Sequence, residues 1–155
     1  TNADCILFLL YDPVKKVIAN VHSGWRGTFQ KIVEKAVVKM ITYYKCSPEN
    51  IMCFICPSIR KCHFEVEEDV KELCEKIFSF TCKTEEFIEK GLIKNGIQRY
   101  MIDTILINKI LLKELGIKEK NIIDSEICSV CNSNKISSYR VEGKDFKLAT
   151  SIISL

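Results

Sequence analysis

The chain has 155 residues, of which 47% are hydrophobic and 28% are charged. This balance is typical of a folded globular domain and excludes a disordered or fibrous chain. The net charge of +3 is small and the lysines are scattered, so neither nucleic acid nor a membrane is expected as a partner. No apolar run is long enough to span a bilayer, and no signal peptide is visible.

The nine cysteines are odd in number and irregular in spacing. Several of them, including Cys53, Cys56 and Cys74, stand in apolar runs, where cysteine behaves as a small hydrophobic residue. The disulfide framework of a small secreted domain uses an even number of cysteines at regular spacings. We therefore expect free thiols and a cytoplasmic location.

The opening segment predicts a β-hairpin. Residues 5–10 form a continuous apolar run, which is typical of a strand buried on both faces. Asp12 and Pro13 break this run, and a second apolar run follows at residues 17–21. The short connection favours antiparallel pairing, which brings the start of the first strand beside the end of the second. Cys5 is therefore expected to lie near His22.

Residues 23–27, Ser-Gly-Trp-Arg-Gly, predict a strand-to-helix turn. Its glycines allow a ligand to approach the backbone closely. An amphipathic helix is predicted over residues 28–44, and its first amides could bind an anion beside Arg26. We interpret Trp25 as a packed wedge beneath the turn, with a stacking platform for a base as the open alternative.

The remaining elements alternate between strands and helices. Asp103 is expected to cap a helix that Gly116 ends. The alternation predicts an α/β (α+β) fold in one domain over residues 1–155, with mixed β-sheet layers flanked by helices. The predicted strands are residues 51–56, 99–102, 122–127 and 147–153, and the other predicted helices are residues 66–77 and 84–90.

Cys5 and His22 together offer a thiolate and an imidazole. These groups suit either a Zn²⁺ ion or a nucleophile with its base. Catalytic zinc normally takes three protein ligands, so two would hold it weakly. Asp4 flanks Cys5 on a strand and should point to the opposite face, so it is not expected to complete the set.

Four segments resemble the YfiH-like family, also called the laccase-domain or multicopper polyphenol oxidoreductase family. They are TNADC at residues 1–5, HSGWRG at 22–27, CPSIRKCHFEV at 56–66 and SSYRVEGKDFKLATSII at 137–153. The resemblance implies a YfiH-like fold and purine nucleoside phosphorylase or adenosine deaminase activity, with peptidoglycan editing described for bacterial members. Family members are about one and a half times as long, so an N-terminal part is expected to be missing.

The resemblance also implies roles for individual residues. A histidine from the missing N-terminal region would join Cys5 and His22 on zinc, with Arg26 in the catalytic set. Arg140 would bind phosphate or ribose, with a surface salt bridge as the alternative. His63 is interpreted as a loop residue, and Cys128 and Cys131 as a strand end near the site rather than a metal knuckle. The expected substrate-binding residues are Gly24, Trp25, Gly27, Cys62, Glu65 and Arg140.

Three enzymatic functions compete at this point. The first is zinc-dependent phosphorolysis or deamination of a purine nucleoside, with phosphate as second substrate for phosphorolysis. The second is a cysteine hydrolase of peptidoglycan precursors, with Cys5 as nucleophile and His22 as base. The third, a copper polyphenol oxidase, ranks last because a multicopper cluster needs many imidazoles and the chain has two histidines. An inactive fragment is the non-enzymatic alternative, and the oligomeric state is not predicted.

Overall fold

A computed structural model describes residues 2–79 and 84–155. Its first sheet has the strand order β2-β1-β3-β7, with β1 at Ile6–Asp12, β2 at Val17–Ser23, β3 at Met52–Ile55 and β7 at Ile122–Asp124. Strand β1 pairs antiparallel with both β2 and β3, and β7 pairs parallel with β3. The predicted hairpin and the predicted mixed α/β architecture are both confirmed.

A second sheet has the order β4-β6-β5, with β4 at Glu65–Val66, β5 at Ile88–Lys94 and β6 at Ile97–Ile102. Both of its pairings are antiparallel. Asn95 and Gly96 connect β5 to β6 with positive φ angles of 52° and 75°. Asn-Gly is the preferred pair for such a two-residue hairpin.

Three predicted elements are wrong or too long. The helix predicted over residues 84–90 is a 3-10 turn at Thr84–Glu86 followed by β5. No strand forms at residues 147–153, where Ala149 makes only an isolated bridge to Asn2. The strand predicted at 122–127 ends at Asp124, because Ser125 begins a turn in which Glu126 has φ 57°.

The helix predicted over residues 28–44 is divided in two. Helix α1 spans Trp25–Phe29 and α2 spans Ile32–Tyr44. Lys31 separates them in the left-handed conformation, with φ 55° and its amide bonded to Thr28 O at 2.9 Å. Because α1 is barely longer than one turn, the sum of its peptide dipoles is small. The anion site expected at the start of a long helix is therefore not supported.

The other helices follow their sequence signals more closely. Helix α3 spans Glu68–Phe78, and α4 spans Thr104–Glu114. Asp103 caps α4 by accepting the Leu106 amide at 2.9 Å, and Gly116 follows it with φ 90°. A short α5 at Tyr139–Glu142 lies in the C-terminal segment. Within residues 2–79 and 84–155, no helix is long and apolar enough to cross a bilayer.

Two hydrophobic clusters form the core, and α4 contributes to both. The first lies between the four-stranded sheet and α2. The second is built around aromatic rings in edge-to-face contact, with centroids 5.3 Å apart for Trp25 and Phe29, 5.9 Å for Phe29 and Phe78, and 6.1 Å for Phe78 and Phe87. This aromatic series connects the strand-to-helix turn to the interior.

Candidate functional site

A cavity of about 150 Å³ opens where the start of β1 meets the turn after β2. Its size is below the roughly 300–1,000 Å³ of a typical small-molecule site, so the described residues enclose only part of a nucleoside-sized ligand. Most of its lining is apolar, with a few polar groups among it. The lining residues are Ala3, Asp4, Cys5, Ile6, Ser23, Gly24, Trp25, Ile59, Phe64, Thr104, Tyr139 and Arg140.

The hairpin register sets the relation between Cys5 and His22. Ile6 pairs with Ser23, and Leu7 pairs with His22. Extending the register by one residue places Cys5 opposite Gly24, and a Cβ built on Gly24 would lie 3.1 Å from the Cys5 Sγ. Cys5 and His22 are therefore diagonal neighbours, whose Cα atoms in an antiparallel pair are about 7–8 Å apart. The absence of a side chain at Gly24 leaves space for the thiol.

The two side chains differ in their surroundings. Cys5 is half-buried in the cavity wall, and its pKa is raised, first by burial and second by the nearby Asp4. His22 is exposed on the edge strand β2 and does not line the cavity. Among the described residues, no hydrogen bond joins the Cys5 thiol to the His22 ring. The thiol is thus protonated at neutral pH unless a cation replaces its proton.

A buried polar network holds the strand-to-helix turn. The hydroxyls of Ser23 and Thr28 lie 3.0 Å apart, and Asn108 of α4 donates to the Thr28 hydroxyl at 3.0 Å. Above this network the Arg26 guanidinium lies 4.0 Å from the centre of the Trp25 ring. Trp25 packs edge-to-face on Phe29 while also lining the cavity. It is therefore both a packing residue and a cavity wall.

Asp4 lines the same cavity as Cys5 and joins it to the C-terminal segment. The expectation that Asp4 points to the opposite face is wrong, because both residues precede β1 and Asp4 has a φ of 78°. Its carboxylate accepts the Ser129 hydroxyl at 2.6 Å and the Arg140 amide at 2.8 Å. Its carbonyl accepts the Ile59 amide at 2.8 Å. The Arg140 guanidinium reaches Glu65 O at 3.4 Å. These bonds place a cationic side chain at the cavity rim.

Four of the predicted site residues line the cavity. It brings together Cys5, Gly24, Trp25 and Arg140. The other predicted residues lie outside its lining, and their roles stay predictions. Gly27 packs in the turn, where an added Cβ would lie 3.3 Å from Ile32. Those outside the lining are His22, Arg26, Gly27, Cys62 and Glu65.

A second group of chemically active side chains lies on two neighbouring loops. Cys62 and His63 come from the loop between β3 and β4, and Cys128 and Cys131 follow β7. Their ligand atoms all lie within 4.8 Å of one another. The sequence predicted His63 as a loop residue and Cys128 and Cys131 as a strand end near the site rather than a metal knuckle. The structure places His63 in a loop and brings the four side chains close enough together that they could hold a metal ion. The Cys128-x-x-Cys131 spacing was the sequence signal for a metal site. The other two residues of the group, Cys62 and His63, lie more than 60 residues earlier in the chain.

The thiols of this group differ in acidity. Burial acts to raise the pKa of Cys128, but hydrogen bonds from the Cys131 and Arg60 amides, together with His63 and Cys62, lower it to about 6. Burial, followed by the bond to Cys128, raises the pKa of Cys62 to about 12. Cys62 accordingly donates to the Cys128 sulfur at 3.6 Å. One sulfur of the group is therefore thiolate-like at neutral pH.

Asp124 fastens the loop that carries Cys62 to the end of β7. Arg60 contacts its carboxylate at 2.7 Å and Lys109 at 2.7 Å. Burial acts to raise the pKa of Asp124, but its hydrogen bonds to Arg60 and Lys109 outweigh burial and lower the pKa to about 2. The pKa of Asp124 is thus lower in the folded protein than in the unfolded chain, where it is near 4. The ionised carboxylate therefore stabilises the fold at pH values above about 4, and this stabilisation is lost as the pH falls toward 2.

We expect Asp124→Asn to lower the free energy of unfolding at pH 7 by about 2 kcal/mol, as the size of the pKa shift implies. Urea unfolding between pH 7 and pH 2 measures this. The difference between wild type and variant should shrink as the pH falls below 4. Glu119→Gln is the matched control, because the Glu119 ion pair with Lys113 is exposed. Equal stability of wild type and Asp124→Asn at pH 7 would contradict the assignment.

The chain resembles known proteins in both sequence and structure. Over residues 1–154 it matches a family described as multi-copper polyphenol oxidoreductase laccase. It is 42% identical over 67 residues to a purine nucleoside phosphorylase of Clostridium acetobutylicum, a match that covers 43% of this chain and 28% of that protein. It is 30% identical over 139 residues to a purine nucleoside phosphorylase of Borreliella burgdorferi, covering 89% of this chain and 56% of that protein.

Two further matches bear on activity and fold. The adenosine deaminase RL5, from an unknown prokaryotic organism, is 36% identical over 74 residues, covering 48% of this chain and 28% of that protein. The crystal structure of the Bacillus licheniformis hypothetical protein YfiH superposes with a TM-score of 0.77 at 28% identity, over 90% of this chain and 50% of that chain. The chain thus covers between 28% and 56% of the length of these relatives.

Proposed function

Because the chain belongs to the multi-copper polyphenol oxidoreductase laccase family and has a YfiH-type fold, we propose that its whole protein is a zinc-dependent enzyme that phosphorolyses purine nucleosides. The observation that supports this most directly is the cavity that combines Cys5, Trp25 and Arg140 beneath the glycine turn. A thiol, an aromatic wall and a guanidinium are groups that suit a metal, a nucleoside and a phosphate, respectively. The relatives named as purine nucleoside phosphorylases support the same reaction.

The zinc ligands in this proposal are Cys5, His22 and a third residue outside these 155. The two donors fit the ion in chemistry and lie diagonally across the open end of the β1–β2 hairpin, and they are one short of the usual three. Zinc in such a site supplies a Lewis acid that polarises a bound oxygen or acidifies a water. The space left by Gly24 accommodates the Cys5 thiol. His22 is exposed, so its ring can bind an ion that a residue outside this chain segment also binds.

The substrate is proposed to enter with its phosphate toward Arg140. The Asp4 bond to the Arg140 amide fixes the backbone at this position, so the guanidinium extends from a defined point on the rim. An Arg side chain can bind phosphate through two parallel hydrogen bonds. Trp25, Ile59 and Phe64 provide apolar wall for the uncharged part of the substrate and exclude water there.

Deamination of adenosine is the second candidate, favoured by the relative that is named an adenosine deaminase. It consumes water at the purine C6 and needs no phosphate, whereas phosphorolysis cleaves the bond to the ribose C1′. Purified full-length protein should therefore be incubated with adenosine and with inosine, each with and without phosphate. Release of free base that depends on phosphate is the expected result. Inosine formed from adenosine without phosphate would support deamination instead, and no turnover of either nucleoside would end the proposal.

A cysteine hydrolase and a multicopper oxidase both have less support from the site. A cysteine hydrolase needs the Cys5 thiol activated by a base, and the described residues show no hydrogen bond from His22 to it. Its test is release of an amine from peptidoglycan precursors after all metal has been removed. A multicopper oxidase needs several imidazole-bound copper ions, and this chain supplies two histidines.

A further inference from the structure

The loop group made of Cys62, His63, Cys128 and Cys131 has the spacing of ligands around a single ion. The sulfur of Cys62 lies 3.6 Å from that of Cys128 and 3.9 Å from that of Cys131. The Nδ1 atom of His63 lies 3.2 Å, 3.6 Å and 3.5 Å from the sulfurs of Cys62, Cys128 and Cys131. All four ligand atoms, three sulfurs and one nitrogen, lie within 4.8 Å of one another.

These separations match a tetrahedral zinc site. With zinc bonds of about 2.3 Å to sulfur and 2.0–2.1 Å to nitrogen, tetrahedral geometry places two sulfurs about 3.8 Å apart and sulfur and nitrogen about 3.6 Å apart. A disulfide would require sulfurs about 2.0 Å apart, and it would use only two of the four groups. We propose that Cys62, His63, Cys128 and Cys131 form a structural zinc site, separate from the site at Cys5 and His22.

The loops that carry these ligands are held together by bonds that do not involve the ion. Ser58 donates its amide to Ile127 O at 3.2 Å, and Ser129 donates its amide to Ser58 O at 3.0 Å. Arg60 reaches across to Asp124 at 2.7 Å. The four ligands are therefore preorganised, which lowers the entropy lost when the ion binds.

The four ligands differ in exposure. Cys128 is buried and His63 is half-buried. Cys62 and Cys131 are exposed, so an ion can reach the group from solvent. When zinc binds, the cysteines that are still protonated release their protons to solvent, and the thiolate sulfurs bind the ion.

Four protein ligands leave no open position, so this zinc would serve structure rather than catalysis. Its position indicates what it stabilises. The first loop also carries Ile59 and Phe64 of the cavity wall, and Ser129 lies between the two ligands of the second loop and donates to Asp4. A metal joining the loops would fix the wall of the cavity. This inference does not depend on which reaction the cavity performs.

The first test is the zinc content of the full-length protein purified under reducing conditions. The double variant Cys62→Ser/Cys131→Ser removes two exposed ligands without opening a core cavity. We expect it to lose about one zinc per chain relative to wild type, whereas Cys5→Ala keeps that zinc. A double variant with the zinc content of wild type would overturn the proposal. So would copper or iron in place of this zinc.

A second measurement keeps the proposal testable if the double variant fails to fold. The Cys5→Ala protein is stripped of metal and titrated with Co²⁺, so that the site at Cys5 and His22 contributes no thiolate-to-cobalt absorption. We expect the charge-transfer and visible bands of a tetrahedral thiolate site to saturate at about one ion per chain. Absence of these bands would overturn the proposal. Mass spectrometry that finds Cys62 disulfide-bonded to Cys128 in the reduced preparation would overturn it as well.

Discussion

In the full-length protein, Cys5→Ala is expected to lower kcat/KM for phosphorolysis of inosine by about 10³-fold, since even residues that only support a metal ligand cost 10–100-fold. The same variant should lose one zinc per chain while keeping its fold, because Cys5 is half-buried and lies outside the two core clusters. Steady-state kinetics and elemental analysis on the same preparation measure both effects.

Cys56→Ala is the matched control for this prediction. Cys56 is a buried cysteine that does not line the cavity. Its substitution by alanine removes the same thiol group as Cys5→Ala. Its kcat/KM should stay within a few-fold of wild type, as expected for a small change away from the reacting atoms. If Cys5→Ala retains both zinc and turnover, the metal site assigned to Cys5 and His22 is wrong.

Phe78→Ala is expected to lower the free energy of unfolding by about 3–5 kcal/mol, the usual cost of removing a buried phenyl ring. Phe78 is 1% exposed and lies between Phe29 and Phe87 in the aromatic series. Its removal leaves a cavity and breaks two edge-to-face contacts. Urea or thermal unfolding of the purified protein measures the loss.

Tyr43→Ala provides the comparison, because Tyr43 is an aromatic residue with 73% of its surface exposed. Its effect should lie within about 0.5 kcal/mol, as for most surface substitutions. A Phe78→Ala variant that is as stable as Tyr43→Ala would show that the second hydrophobic cluster contributes little to the fold.

Elements with strong local signals could be predicted from the sequence. Two apolar runs separated by Asp12 and Pro13 specified the hairpin, and Asp103 with Gly116 marked both ends of α4. The second sheet was missed in part because β5 is mostly solvent-facing, and its apolar residues Ile88, Leu92 and Ile93 do not alternate with polar ones as in a half-buried strand. The Asn95-Gly96 pair was the signal that favoured a hairpin there.

The candidate site residues also differ in how far the sequence could predict their proximity. Cys5 and His22 lie 17 residues apart on a single hairpin, so local reasoning could relate them. The loop group combines Cys62 with Cys128 and Cys131, whose positions differ by 66 and 69 residues. Only the parallel pairing of β3 with β7 brings the loops that follow these strands to the same edge. No spacing along the chain reveals that pairing.

The bonds made by Asp4 have a consequence for the order of folding. Its carboxylate is satisfied by groups 125 and 136 residues further along the chain, so a ribosome must release nearly the whole segment before those bonds can form. Contacts of such long sequence separation form late because closing a large loop costs entropy. Newly made chains would therefore acquire their hairpin early and their binding cleft last, with the cleft amides the slowest to gain protection from hydrogen exchange.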